Sequence, residues 1–136
     1  MALTKDSPLK VREDQNESYP VKADSIIYEG AMVGLDSGYA RGLVASDQFI
    51  GHAIRQSSNS GGDAGAINCE CRTGIYKQEQ TLTGVAITDI GSDVYGSADD
   101  TYTLTPGGNS FVGTVVRYVK ANTCIVRFRT HSEAIS

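Results

Sequence analysis

Over residues 93–129 apolar and polar side chains alternate in short runs, and each run is closed by residues that favour turns. Residues 93–96, 101–105, 111–119 and 124–129 are separated by Ser97-Ala-Asp-Asp, by Pro106-Gly-Gly-Asn and by a third short connection. In 101–105 the threonines take one face while Tyr102 and Leu104 take the other. In the last run Cys124, Val126 and Phe128 oppose Ile125, Arg127 and Arg129. This period of two predicts strands that bury one face and wet the other. The same reading of 111–119 puts Val112, Val116 and Tyr118 on one face, and Phe111, Val115 and Val119 on the other. The β-branched and aromatic content of the runs, with Gly, Pro, Asn and Asp gathered between them, supports the same assignment.

Upstream the pattern continues through 26–28, 31–35, a weaker run to Val44, then 49–55, 67–72, 75–78 and 84–88, and no window sustains a helical repeat. Residues 56–66 are rich in Ser and Gly and poor in apolar groups, which predicts a flexible surface loop. One motif recurs: Phe49-Ile-Gly-His-Ala-Ile-Arg55 matches Phe111-Val-Gly-Thr-Val-Val-Arg117 at an offset of 62 residues, and Gly34 falls on Gly96 at the same offset. The recurrence predicts an internal duplication, one β unit used twice, which is too few copies for a solenoid. Gly51 and Gly113 lie inside strands, where glycine is costly unless a bulge or a close neighbour requires it.

These patterns predict an all-β chain: a compact β-barrel or β-sandwich of short antiparallel strands, residues 21–136, preceded by an extended N-terminal arm, residues 1–20. The arm carries charges of both signs, Pro8 and Pro20, and few large apolar groups, so by itself it buries too little to offset its ordering entropy. Its apolar residues are too sparse for a helix face and Pro8 bars a continuous central strand. An extended segment of this kind is suited to a partner's sheet edge or groove. Leu3, Lys5, Leu9, Val11, Arg12 and Tyr19 are the candidate contact residues.

Composition narrows the function. A chain of 136 residues has the length of one domain and enough of it, about 68% of the unfolded surface buried, for a real core. A formal charge of -4 disfavours a general grip on nucleic acid. No run approaches the ~18 apolar residues of a membrane span, and no signal-peptide core is present, so synthesis in the cytoplasm is expected. Cys69 and Cys71 alternate with Asn68, Glu70 and Arg72, which points both thiols at the core as reduced, small hydrophobes. With His52 and His131 the only histidines, they lack the ligands for zinc. Asp89, Asp93, Asp99 and Asp100 lack calcium-loop spacing and read as turn residues. A phosphate cradle would need a Gly-Lys-Ser/Thr that is absent, and no Gly-x-Ser-x-Gly occurs. No cofactor and no enzymatic activity are expected.

Several motifs, in order and spacing, resemble the small phage head proteins known as capsid cement or decoration proteins, a family formerly labelled as phage recombinases of RecA/RadA type. They are Met1-Ala-Leu-Thr-Lys-Asp, Ser25-Ile-Ile-Tyr-Glu-Gly-Ala-Met-Val-Gly34, Phe49-Ile-Gly51, residues 85–93 leading into Val94-Tyr95, Asp99-Asp100-Thr-Tyr-Thr-Leu104 and Phe111-Val-Gly-Thr-Val-Val-Arg117. The resemblance covers nearly the whole chain, although no single motif is a chemical signature. It implies a protein that binds the outer surface of an assembled phage head, bridges major capsid subunits as a homotrimer, and touches neither nucleic acid nor membrane. The competing expectation is a carbohydrate- or ligand-binding β-barrel module of the virion, which the absence of tryptophan disfavours and the seven tyrosines keep open.

Overall fold

The computed structural model describes residues 16–130. It contains twelve strands: β1 (Asn16–Pro20), β2 (Ile26–Ile27), β3 (Met32–Asp36), β4 (Tyr39–Gly42), β5 (Gln48–Ala53), β6 (Ser57–Ser58), β7 (Asn68–Arg72), β8 (Ile75–Thr81), β9 (Asp93–Ala98), β10 (Thr101–Thr103), β11 (Ser110–Lys120) and β12 (Thr123–Arg129). All strand pairs are antiparallel, in two five-stranded sheets and the two-stranded β2–β6. Of the two predicted architectures this is the sandwich, because each large sheet keeps two edge strands instead of closing. A single parallel bridge, Val21 to Ala40, ties the edges of the first sheet at one point.

Both large sheets have one topology. The first runs β1-β7-β5-β3-β4 and the second, taken from the same side, β8-β12-β11-β9-β10. The register repeats as well: Val33 faces Gly51 as Val94 faces Gly113, Ala53 faces Cys71 as Val115 faces Val126, and Tyr19 faces Cys69 as Gln80 faces Cys124. Even the irregularity recurs. Ile50 and Val112 are extra residues in their strands, since Val33–Gly51 is followed by Gly34–Phe49 and Val94–Gly113 by Tyr95–Phe111. Such bulges bend a strand and sharpen its twist. The motif at offset 62 therefore marks a true structural repeat in β5 and β11. In β3 and β9 the counterpart of Gly34 is Tyr95, offset 61, so the Gly34–Gly96 match is fortuitous.

The repeat extends into the core. One buried cluster contains Val21, Val33, Ile50, Ala53, Cys69 and Cys71; the other contains, at the equivalent places, Leu82, Val94, Val112, Val115, Cys124 and Val126. Each half thus buries its own apolar face, at about 25 cal/mol per Å² removed from water. The halves are then joined because Met32, Leu43 and Phe49 from the first pack into the cluster of the second, where Phe49 lies 5.9 Å from Phe128.

Four expectations need correction. Asn16–Pro20, the last residues assigned to the arm, form the strand β1 at the edge of the first sheet. Residues 84–88 hold no strand; Ile87–Asp89 is a 3-10 turn closed by the Asp89 carboxylate, which accepts from the Ala86 N–H at 2.8 Å. The 56–66 loop is pinned: Asn59 is buried and donates to the carbonyls of Lys22 and Asp63, and Ser57–Ser58 pairs with β2. In β11 the bulge at Val112 breaks the alternation, so Val112 and Val115 share the core while Val116 is half-buried. The alternation in β12 holds, with Cys124, Val126 and Phe128 fully buried.

Candidate interaction surface

The outer face of the second sheet brings together cations from three strands. Lys77 on β8, Arg127 on β12 and Arg117 on β11 surround an open depression of about 460 Å³, with Ile125 and Val116 as its floor and Glu79 on the rim. In a chain of formal charge -4 this places three cations around one carboxylate. None of the three cations has an ion-pair partner among the described residues. Among the described residues β8 is an edge strand of seven residues that pairs only with β12, so a row of backbone groups faces outward along it. Ile75, 55% exposed, adds an apolar contact at one end. An edge of this length with mixed charge and an apolar terminus suits addition of a partner strand, and the cations beside it favour an acidic partner surface.

The chemistry-bearing side chains of the interior are occupied with structure. His52, 4% exposed, lies at the seam between the halves, its Nδ1 2.5 Å from the Tyr76 hydroxyl and its Nε2 2.8 Å from the Tyr102 hydroxyl. Phe128 packs edge-on against the imidazole at 4.6 Å. Burial lowers the His52 pKa to about 4, and the same burial pushes both phenols up. A neutral imidazole between two hydroxyls has one donor and one acceptor, so one tyrosine donates to it and the other accepts. Cys69 and Cys71 are buried with sulfurs 3.9 Å apart, both free, and the hydrogen bond to Cys69 together with burial pushes the Cys71 thiol up. Among the described residues no group of three His, Cys, Asp or Glu side chains converges as a metal site.

Of the predicted contact residues, Leu3, Lys5, Leu9, Val11 and Arg12 lie outside the described residues. Tyr19 sits on β1 opposite Cys69, half-buried against the core of the first half, and its phenol pKa is raised chiefly by burial. One side of its ring packs against that core. The sequence reading missed Lys77, Arg117 and Arg127 as a group. Alternation put Arg127 on the wet face, but the strand order that sets β8 and β11 on either side of β12 was the missing information.

A second cleft, about 430 Å³, is lined by Tyr28, Glu29, Asp99 and Asp100. Tyr28 is 56% exposed there, and the Met32 N–H donates to the Asp99 carbonyl at 2.9 Å, which ties this wall of the second half to the first. No family model, curated protein or solved structure matches the chain.

Proposed function

We propose that this is a structural protein that decorates the outside of a phage head, assembles there as a homotrimer and bridges major capsid subunits. The observation that carries the reading is the ordered set of motifs, spread over nearly the whole chain, that resembles the cement proteins. The open β8 edge with its cationic flank supports it, because a bridging protein needs attachment surface. A bridge of this kind acts by linkage: binding that favours the intact shell must be lost before the shell ruptures. Many modest contacts repeated over a shell suffice, since they must fail together.

The direct test is co-sedimentation of purified protein with empty expanded heads, with the copy number read from the bound fraction. Saturation at three copies per local three-fold position is expected. Failure to bind heads, or binding of isolated single copies, would sink the proposal. The arm is assigned a share in attachment. Deletion of residues 2–14, which leaves β1 (Asn16–Pro20) intact, should leave the melting temperature unchanged while weakening head binding at least tenfold. Undiminished affinity with an unchanged melt would remove the arm from the attachment surface.

The exposed Tyr28 between Glu29, Asp99 and Asp100 is the specific feature that favours the second reading, a carbohydrate-binding module, since sugars stack on exposed aromatic rings and hydrogen-bond to flanking carboxylates. Binding on a glycan array that is lost in Tyr28→Ala, with no binding to heads, would establish it in place of the first.

A further inference from the structure

Where the two halves meet, the beginnings of the equivalent strands β5 and β11 face each other across a cleft of about 240 Å³. Gln48 and Phe49 line one side, and their counterparts Ser110 and Phe111 the other. The Ser46 hydroxyl donates to the Gly108 carbonyl at 2.7 Å, joining equivalent positions of the repeat at the cleft mouth. Arg129 completes the wall.

Two buried polar atoms among the described residues have no hydrogen-bond partner, Ser110 Oγ and Arg129 Nε, and the residues of both line this one cleft. Ser110 is only 4% exposed. Buried donors are normally satisfied, and a guanidinium N–H left without an acceptor is among the more costly omissions. The cleft is several times the ~30 Å³ share of one water molecule, so it admits more than a bridging water. The charge of the wall selects what enters. Asp47 is already neutralised, accepting from Arg41 Nε at 3.0 Å and Nη2 at 2.9 Å and from the Val44 N–H at 3.0 Å. Arg129 is left as the uncompensated charge, having no ion-pair partner among the described residues.

We infer that this cleft is a receptor for a single carboxylate, an aspartate or glutamate side chain of a protein partner. The carboxylate accepts from Arg129 Nε and from the Ser110 hydroxyl, and the Gln48 amide at the exposed rim is within the same lining. A monoanion balances Arg129, the unpaired cation among the described residues that line the cleft, whereas a phosphate dianion would leave excess negative charge beside Asp47. The planar guanidinium edge suits a carboxylate in a way that an ammonium does not. The inference is independent of the head-decoration reading.

The test follows the Arg129 side-chain N–H resonance of the full chain by NMR during titration with N-acetylglutamate methylamide, beside its neutral glutamine analogue at matched ionic strength. A saturable shift with at least tenfold preference for the glutamate compound is expected. Equal response to both compounds, or a shift that never saturates, would overturn the inference. Arg129→Lys keeps the charge but loses the planar edge and should weaken binding at least tenfold; Ser110→Ala should weaken it several-fold. Unchanged affinity in folded Arg129→Lys would count against the site. Should either variant fail to fold, the preference of the wild-type protein between the two compounds still decides the matter.

Discussion

Gly113→Ala is expected to unfold the domain or to lower its stability by at least about 4 kcal/mol, far beyond the usual effect of one substitution. A Cβ at position 113 would collide with the backbone carbonyl oxygen of Arg127 and come within 3.0 Å of the Phe128 Cα. Both obstacles are main chain in the neighbouring strand β12, so no side-chain rotation relieves them. Gly51 is the counterpart: a Cβ there meets the Arg72 carbonyl oxygen in β7, and its φ of +143° is itself unfavourable for other residues. Both glycines immediately follow the bulged residues Ile50 and Val112, where the strand is bent toward its neighbour. Gly107→Ala is the control, because an added Cβ there meets nothing within 4 Å, and it should change stability by no more than about 0.5 kcal/mol. Thermal melts of the three variants measure the difference. A Gly113→Ala protein that melts within a degree or two of wild type would show that the close strand approach is not what fixes this glycine.

Acid should weaken the protein through His52. Its pKa is about 4 in the fold and about 6.5 in an unfolded chain. Between these values the unfolded state binds more protons, so stability is full above pH 6.5 and falls as pH drops toward 4. Integrated over that window, the loss is about 3 kcal/mol. Protonation makes both ring nitrogens donors, so the tyrosine that donates to the neutral ring loses its acceptor. The carboxylates behave differently. Asp36, held low by the hydrogen bond from Lys22, loses its contribution only below the ordinary carboxylate range. His52→Gln cannot acquire that proton, and its melting temperature should be nearly flat between pH 7 and pH 4.5 while wild type declines. A wild-type melt independent of pH over this interval, or an equal decline in the variant, would show that the imidazole is not the sensing group.

Much of the frame was readable from period-two patterning, because most strands bury one face and turn residues separate them. The alternation of Cys69 and Cys71, and of Cys124, Val126 and Phe128, predicted their burial directly. It failed where the backbone is irregular. The bulge in β11 adds a residue that no polarity pattern announces, and it brings Val112 and Val115, which alternation put on opposite faces, into the same core. The connection at 56–66 looked featureless because what orders it, the Asn59 amide, bonds to backbone carbonyls, among them that of Lys22, distant in sequence. The strand β1 was missed since it is largely polar and lies at a sheet edge, with Tyr19 packed inward. The cationic depression and the Arg129 cleft depend on which strands become neighbours, a tertiary fact that spacing along the chain does not encode.

The repeat has a consequence for how the seam could change. When a unit associates with an identical copy of itself, every substitution arrives on both sides at once and must be tolerated twice. Joining two units in one chain removes that constraint. At the seam His52 stands where the second half has Thr114, and Tyr102 stands where the first half has Ala40. The imidazole and its tyrosine partners are thus a lopsided arrangement that a symmetric pair could not hold in single copy. Asymmetry of this kind lets each side of the seam accept a substitution that the other side does not share.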